Sequence, residues 1–406
     1  MSQFDLKTQK NRIDINSRWS IVTAILLGVI GPAVFIVQPG FVQGLVGSYH
    51  FDEQQVGYIA SAEMWGIALT TLFITFISRR FSWRLLLVLG ILLSSAGNLL
   101  STITGDATSF AILRCLTGVG SGVLISLSFT VIGLTAKPDR NFGWLIMWVL
   151  IYGALGFLVM PSAYELVGMK GVLVFFALFN LLALPFVRFF PVSGENHVMT
   201  DERAVTLPSL YRSLAVVAML FYFVAQGAVW AYLFLIGTSN GVTEDNVSYG
   251  LTLSQFFGIV GALAAAAITC RFGRLTPLAL GLLASILSLM ALMGDIGPFT
   301  YMIAVCLFNL AWNNTHPYLL AALASFDRSG RTVECGVAAQ MIGLAIGPAI
   351  AANVIADDNY SIVIWLGIAL FAAALVAIVG PVLKQSSVQR GLDNGLTVDW
   401  IPERDV

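Results

Sequence analysis

The sequence predicts an all-α integral membrane protein, with twelve transmembrane helices in two pseudo-symmetric six-helix bundles. Three observations predict it. The 406 residues are 58% hydrophobic and only 11% charged, with a mean hydropathy of +0.86. A soluble chain of this length would need the polar skin of about three domains, with roughly a quarter of its residues charged. Apolar runs of about 20 residues, the length that carries a helix across the hydrocarbon core, recur from end to end. Finally, Lys and Arg gather on one side of the resulting topology.

Reading apolar runs between polar breaks gives spans at 20–45, 54–78, 83–103, 107–135, 141–165 and 170–190. A second set follows at 211–238, 247–269, 275–294, 298–325, 333–356 and 360–383. None alternates as a barrel strand would. An even number of spans puts both termini on one side. The segments on that side hold 19 of the 21 basic residues, all but Lys170 in a loop on the other side and Arg114 inside the fourth span. That bias places both termini in the cytoplasm, and the plasma (inner) membrane is the expected location. Residues 1–190 form the expected N-terminal bundle, 191–210 a cytoplasmic linker, 211–383 the C-terminal bundle and 384–406 a cytoplasmic tail. The polar first 18 residues and the long apolar stretch after them do not read as a cleavable signal peptide.

The halves resemble each other. A gapless shift of 191 residues pairs Glu53 with Glu244, Tyr58 with Tyr249, Arg80 with Arg271, Gly90 with Gly281, Ser94 with Ser285 and Cys115 with Cys306. Parallel six-helix repeats around a central site are an architecture of secondary transporters.

Several chemistries are excluded. A net charge of −1 gives no basis for nucleic-acid binding. The cysteines Cys115, Cys270, Cys306 and Cys335 form no CxxC pair, and the three histidines make no metal set. There is no P-loop, HExxH or GxSxG pattern. No catalytic residue, metal or cofactor is expected. The expected partners are a small-molecule substrate, protons and the lipid bilayer, and the chain is expected to be a monomer.

The membrane-embedded polar residues carry the functional reading. Glu63 lies about nine residues into the second span, roughly 13 Å deep at the helical rise, and Arg114 lies at a similar depth in the fourth. Ionisable groups there are costly, which makes proton coupling the sharp reading and a fixed structural ion pair the bland one. In span ten, Asn309, Trp312, Asn313 and His316 fall at i, i+3, i+4 and i+7, on one face, just before the helix-kinking Pro317. This stripe reads as cavity lining, against helix–helix hydrogen bonding. For His316 alone, a packed polar partner and a proton relay are equally good readings. Tyr222, Gln226 and Trp230 share a face of span seven and suit an aromatic or amphipathic molecule, although Tyr222 alone reads as packing. Gln38 in span one and Gln255 in span eight complete the candidate substrate-binding set. The stripe Trp144, Trp148 and Tyr152 reads as packing or interfacial anchoring.

In 6+6 form, with basic loops after spans two and eight, the chain resembles the major facilitator superfamily. Arg114-Cys115-Leu116-Thr117-Gly118-Val119-Gly120-Ser121-Gly122 is similar to that family's arginine–glycine motif in span four. Arg271-Phe272-Gly273-Arg274 resembles its signature cytoplasmic loop, with Cys270 where the family carries an aspartate. The counterpart loop departs further, with Arg79 in place of the acid and Ser82 in place of the glycine. Gly343 and Gly347-Pro348 lie in span eleven, not in span five where drug antiporters carry their Gly-Pro signature. The resemblance implies that spans 1, 4, 7 and 10 line the cavity, that 2, 5, 8 and 11 form the interface between halves, and that the others face lipid. The function it implies is secondary transport by alternating access; the membrane-embedded residues point to a small organic solute that is aromatic, amphipathic or anionic, with coupling to protons through Glu63. The alternatives are an uncoupled facilitator, a non-transporting sensor and an intramembrane enzyme.

Overall fold

A computed structural model describes residues 13–78, 80–192, 206–268, 273–327, 331–355 and 359–393. No strand occurs among them. In chain order the α-helices are α1 (Arg18–Ile30), α2 (Ala33–Ile36), α3 (Gln38–Tyr49), α4 (Glu53–Ile77), α5 (Trp83–Ser101), α6 (Ala107–Gly133) and α7 (Pro138–Leu181). They continue as α8 (Ser209–Ser239), α9 (Glu244–Ile268), α10 (Leu275–Met290), α11 (Pro298–Ala324), α12 (Arg331–Val354) and α13 (Ser361–Asp393). A 3-10 turn covers Leu184–Phe189 between α7 and α8.

The described residues thus hold thirteen α-helices, not the expected twelve. The first predicted span is broken at Gly31-Pro32 and again at Val37, where φ −105 and ψ 21 leave the helical region. Pro32 and Pro39 each lack the backbone donor that a continuous helix needs. The fifth and sixth predicted spans are assigned to one 44-residue helix, within which Gly168 is non-helical at φ 64 and ψ −179. Only glycine adopts that conformation at little cost, so the chain turns there. Most of the expected linker and the tail beyond 393 lie outside the described residues, as do Arg79 and 269–272 of the two basic loops.

Eight helices among the described residues are long and apolar enough to cross a membrane. Helix α11 has the length but dilutes its apolar content with Asn309, Asn313, Asn314, Thr315 and His316. Large apolar side chains such as Leu89, Phe175, Leu263, Phe299, Trp365 and Val376 cover the outer surface, as a lipid-facing surface requires. Trp144 and Trp148 are half exposed on that surface, while Tyr152 stacks on Phe179, so this stripe packs and anchors.

The internal repeat is visible helix by helix. Shifted by 191 residues, α4 and α6 coincide in both bounds with α9 and α11. Their packing repeats as well. Helix α4 packs on α6 and α9 on α11, α5 on α6 and α10 on α11, α5 on α7 and α10 on α13. Helix starts are capped locally. Asp52 and Gln55 form a reciprocal capping box at α4. Asp106 caps α6, and the Ser109 side chain and backbone hold its carboxyl below the usual carboxylate range.

Between the halves, α4 packs on α12, α7 on α9 and α3 on α8. The hydrogen bonds across these contacts gather toward the end opposite the chain termini. The Ser61 hydroxyl donates to the Ala345 carbonyl (2.6 Å) and the Tyr58 hydroxyl to Asn353 Oδ1 (2.8 Å). The Tyr232 hydroxyl donates to the Glu53 carbonyl (2.6 Å), and Gln43 Nε2 to Glu244 Oε1 (2.8 Å).

Candidate functional site

Two centres lie in the membrane-embedded part, one polar and one aromatic. The first belongs to the N-terminal half. Arg114 on α6 donates from Nη2 to Glu63 Oε1 (2.8 Å) and from Nε to Glu63 Oε2 (3.3 Å). Its Nη1 donates to Asn98 Oδ1 on α5 (2.7 Å), and Asn98 in turn donates to the Ser94 carbonyl. The Phe41 ring lies 5.3 Å from the guanidinium carbon, close enough for a cation–π contact. Arg114 is fully buried and Glu63 is 4% exposed.

The pair can form because α4 and α6 come together backbone to backbone. A Cβ at Gly118 would collide with the Glu63 carbonyl, and one at Gly66 with the Cys115 carbonyl. Small residues at such positions let membrane helices approach closely. Sequence reasoning paired Glu63 with Arg114 but missed Asn98, which sits in a span expected to face lipid. With three of its nitrogens engaged and no exposed surface, Arg114 does not present a free guanidinium to a solute carboxylate.

The second centre lies where the halves meet. Trp312 on α11 packs edge-to-face against Trp230 on α8 (centroids 5.6 Å apart), Phe308 (6.2 Å) and Phe35 on α2 (6.4 Å). Trp230 meets Phe157 on α7 at 5.9 Å and donates its indole N–H to the Phe35 carbonyl (3.0 Å). Aromatic rings from both halves therefore form one cluster.

The predicted polar stripe on α11 divides around it. Asn309 and Asn313 bond to each other (2.7 Å), and Asn309 Nδ2 donates to Ser254 on α9 (3.2 Å), so both amides turn toward α9. His316 instead bonds Gln340 on α12 (3.0 Å) and meets Phe223 edge-on. Gln340 accepts through its carbonyl oxygen, so the assigned geometry puts a proton on His316 Nε2. Gln340 was not anticipated from the sequence.

Gln255 is buried on α9 against Gly153 of α7, where a Cβ would stand 2.7 Å from its Oε1. Gly153→Val is expected to push this amide aside and lower stability by about 1–3 kcal/mol, the usual cost of overpacking. Thermal unfolding in detergent checks it. Tyr222 is fully buried against Phe223 and Phe371, and Gln226 is fully buried one turn along α8. Gln38 is buried at the start of α3 with its Oε1 unbonded. Every predicted membrane-embedded site residue is buried or partly buried, but not in one place: Glu63 pairs with Arg114, Trp230 with Trp312 and Asn309 with Asn313, while Gln255 lies at Gly153 and His316 at Gln340.

Among the described residues, no group of three or more His, Cys, Asp and Glu is placed to hold a metal ion.

Comparison with known proteins agrees with this architecture. Of solved structures, the nucleoside transporter NupG superposes with a TM-score of 0.71 at 11% identity, covering 89% of this chain and 98% of that one. A D-xylose-proton symporter superposes with a TM-score of 0.73 at 14% identity, covering 90% and 98%. At those identities the likeness establishes the fold. No curated protein sequence matches the chain. The family model described as Major Facilitator Superfamily matches residues 23–333. The chain therefore belongs to the major facilitator superfamily and is a multi-pass membrane protein of the secondary-transporter class, not an enzyme.

Proposed function

We propose that the protein moves a small, uncharged, aromatic or amphipathic organic solute by alternating access, binding it at the aromatic junction around Trp230 and Trp312, with proton coupling through Glu63. The observation that carries this reading is the junction itself. Rings from α2, α7, α8 and α11, on both sides of the interface, meet at one point. A solute held there touches both bundles, so its binding energy can bias which end of the interface opens. The engagement of Arg114 by Glu63 and Asn98 removes the support for an anionic solute. The structural neighbours named for nucleosides and for D-xylose with protons fit a small organic cargo.

Coupling follows from the buried pair. If α4 and α6 part during the cycle, Glu63 loses its counter-charge in a medium that penalises an isolated carboxylate, and taking up a proton relieves the penalty. An uncoupled facilitator is the second reading, favoured by the closure of the pair, since both Glu63 oxygens already accept from Arg114.

Solute flux into liposomes containing the purified protein, with and without an imposed pH gradient, separates the two. A gradient should accelerate wild-type uptake. Glu63→Gln should keep solute exchange at equilibrium while its net uptake becomes indifferent to the gradient. Retention of the wild-type response by Glu63→Gln would leave the facilitator reading.

A further inference from the structure

We infer that Phe41 is a positioning residue for proton coupling: it stands on the broken first span between the aromatic junction and the Glu63–Arg114 pair, and makes the geometry of the junction depend on whether Glu63 carries a proton. This rests on the proposed roles of the junction and of Glu63, and names the residue that joins them.

Both centres are tied to one short stretch of chain. Phe35 on α2 gives its ring to Trp312 and its carbonyl to the Trp230 indole N–H. Six residues further, Phe41 on α3 is buried with its ring 5.3 Å from the Arg114 guanidinium carbon. The break between them explains the first contact. In a continuous helix the Phe35 carbonyl would accept from the backbone N–H of residue 39, and residue 39 is proline. That carbonyl instead accepts from the Val37 N–H and from Trp230. The stretch is therefore a joint, fastened to the C-terminal half at Phe35 and to the guanidinium at Phe41. Beyond the joint α3 is seated on α7, where Phe41 meets Phe176 edge-on at 6.2 Å and the Tyr164 hydroxyl donates to the Gly40 carbonyl (2.9 Å).

Electrostatics makes the position of Phe41 depend on the proton. With Glu63 ionised, its carboxylate answers two guanidinium nitrogens and Asn98 a third. Once Glu63 is protonated, Arg114 keeps its charge in an apolar setting, and Asn98 and the Phe41 π-face are left to answer it. The ring is drawn toward the guanidinium, α3 moves with it, and the joint passes the movement to Phe35 and Trp230. Among the described residues, Arg114 is the charged group paired with Glu63. The titratable groups on the helices around α4 lie elsewhere. Tyr49 of α3, its C-cap His50 and Tyr232 of α8 are at the end opposite the termini. Arg212 of α8 pairs with Asp327 at the other end, where Arg331 and Glu334 begin α12. Tyr222 of α8 donates to the Trp312 carbonyl, and Cys115 follows Arg114 on α6.

Coupling between two sites is reciprocal: if the junction sets the proton affinity of Glu63, the proton must move the junction. The link can therefore be read without the solute. The test uses the full chain in nanodiscs, labelled with fluorotryptophan and followed by fluorine NMR. The titration runs from about pH 4 to about pH 9, between an ordinary carboxyl and a deeply buried one. Trp230→Phe identifies the Trp230 resonance. In the wild type we expect that resonance to move through a single titration. Glu63→Gln should hold it near its wild-type low-pH position at every pH. Phe41→Leu should shrink the movement by about threefold or more, in keeping with a cation–π contact of ordinary strength. Phe41→Tyr, which keeps a π-face, should restore it. Phe41→Met, also without a ring, carries the same expectation as Phe41→Leu should that variant not fold.

A Trp230 resonance indifferent to pH in the wild type would overturn the inference, as would movement that survives in Glu63→Gln. A merely structural Phe41 predicts a lower Tm with the movement intact in Phe41→Leu, and that outcome refutes the link. Proton coupling through Glu63 is judged separately by the liposome flux of Glu63→Gln, so it can stand while the link through Phe41 falls.

Discussion

Arg114→Ala is expected to destabilise the protein by about 3–5 kcal/mol, read as a fall in unfolding temperature in detergent or nanodiscs. The reason is less the attraction lost than the charge left behind. In the wild type, Glu63 accepts from two guanidinium nitrogens, and Asn98 occupies a third. Without Arg114, a carboxylate that is 4% exposed must stay ionised with nothing opposite it, or take a proton and find a new acceptor. Glu63→Gln should cost less, because its amide oxygen still accepts one bond. The double variant Glu63→Leu with Arg114→Leu should recover most of the loss, since an apolar pair of similar volume often replaces a buried ion pair without penalty. Failure to recover would show that Asn98 and Phe41 depend on Arg114 for their own packing. If the double variant still responds to a pH gradient, Glu63 is not the proton carrier.

What the sequence revealed and what it hid have different physical causes. Glu63 and Arg114 stood out because charges are rare in apolar spans, and their similar depths on two helices paired them. Asn98 did not stand out. A single amide in a leucine-rich span is ordinary, and only the close approach of α5 and α6, permitted at Gly90, Gly97 and Gly120, brings Asn98 within reach of Arg114. The α11 stripe shows the limit of periodicity. Spacings of three and four residues place side chains on one broad face, roughly 100° wide. That arc is wide enough for Asn309 and Asn313 to turn to α9, Trp312 to meet α8, and His316 to reach α12. The repeat was legible because it is a matter of register, and α4, α6, α9 and α11 keep it in both bounds. The helix count was less so, because proline and glycine breaks inside an apolar run leave its hydropathy unchanged while they divide the helix.

Joining Gly57→Cys to Ala352→Cys is expected to stop solute flux almost completely under oxidising conditions, with recovery on reduction. A Cβ at Gly57 would lie 2.6 Å from the Ala352 Cβ, which puts the two backbones in direct apposition across the interface. A disulfide needs about 3.5–4.5 Å between Cβ atoms, so α4 and α12 must part by roughly 1–2 Å to accept it. The neighbouring bonds, from Ser61 to the Ala345 carbonyl and from Tyr58 to Asn353, show the same two helices closed on each other at this end. Alternating access requires this seam to open once in every cycle, and a covalent link removes that step without touching the aromatic junction or the Glu63 pair. Ala352→Cys alone should transport; Gly57→Cys must also push aside the Tyr232 hydroxyl, which its Cβ would meet, so flux through the reduced double variant is the control. Binding should survive in the oxidised form even though flux does not, since a solute can still reach the junction from the end that is free to open. Flux through a verified cross-link would mean that the halves do not separate along α4 and α12, and that the solute crosses by another path.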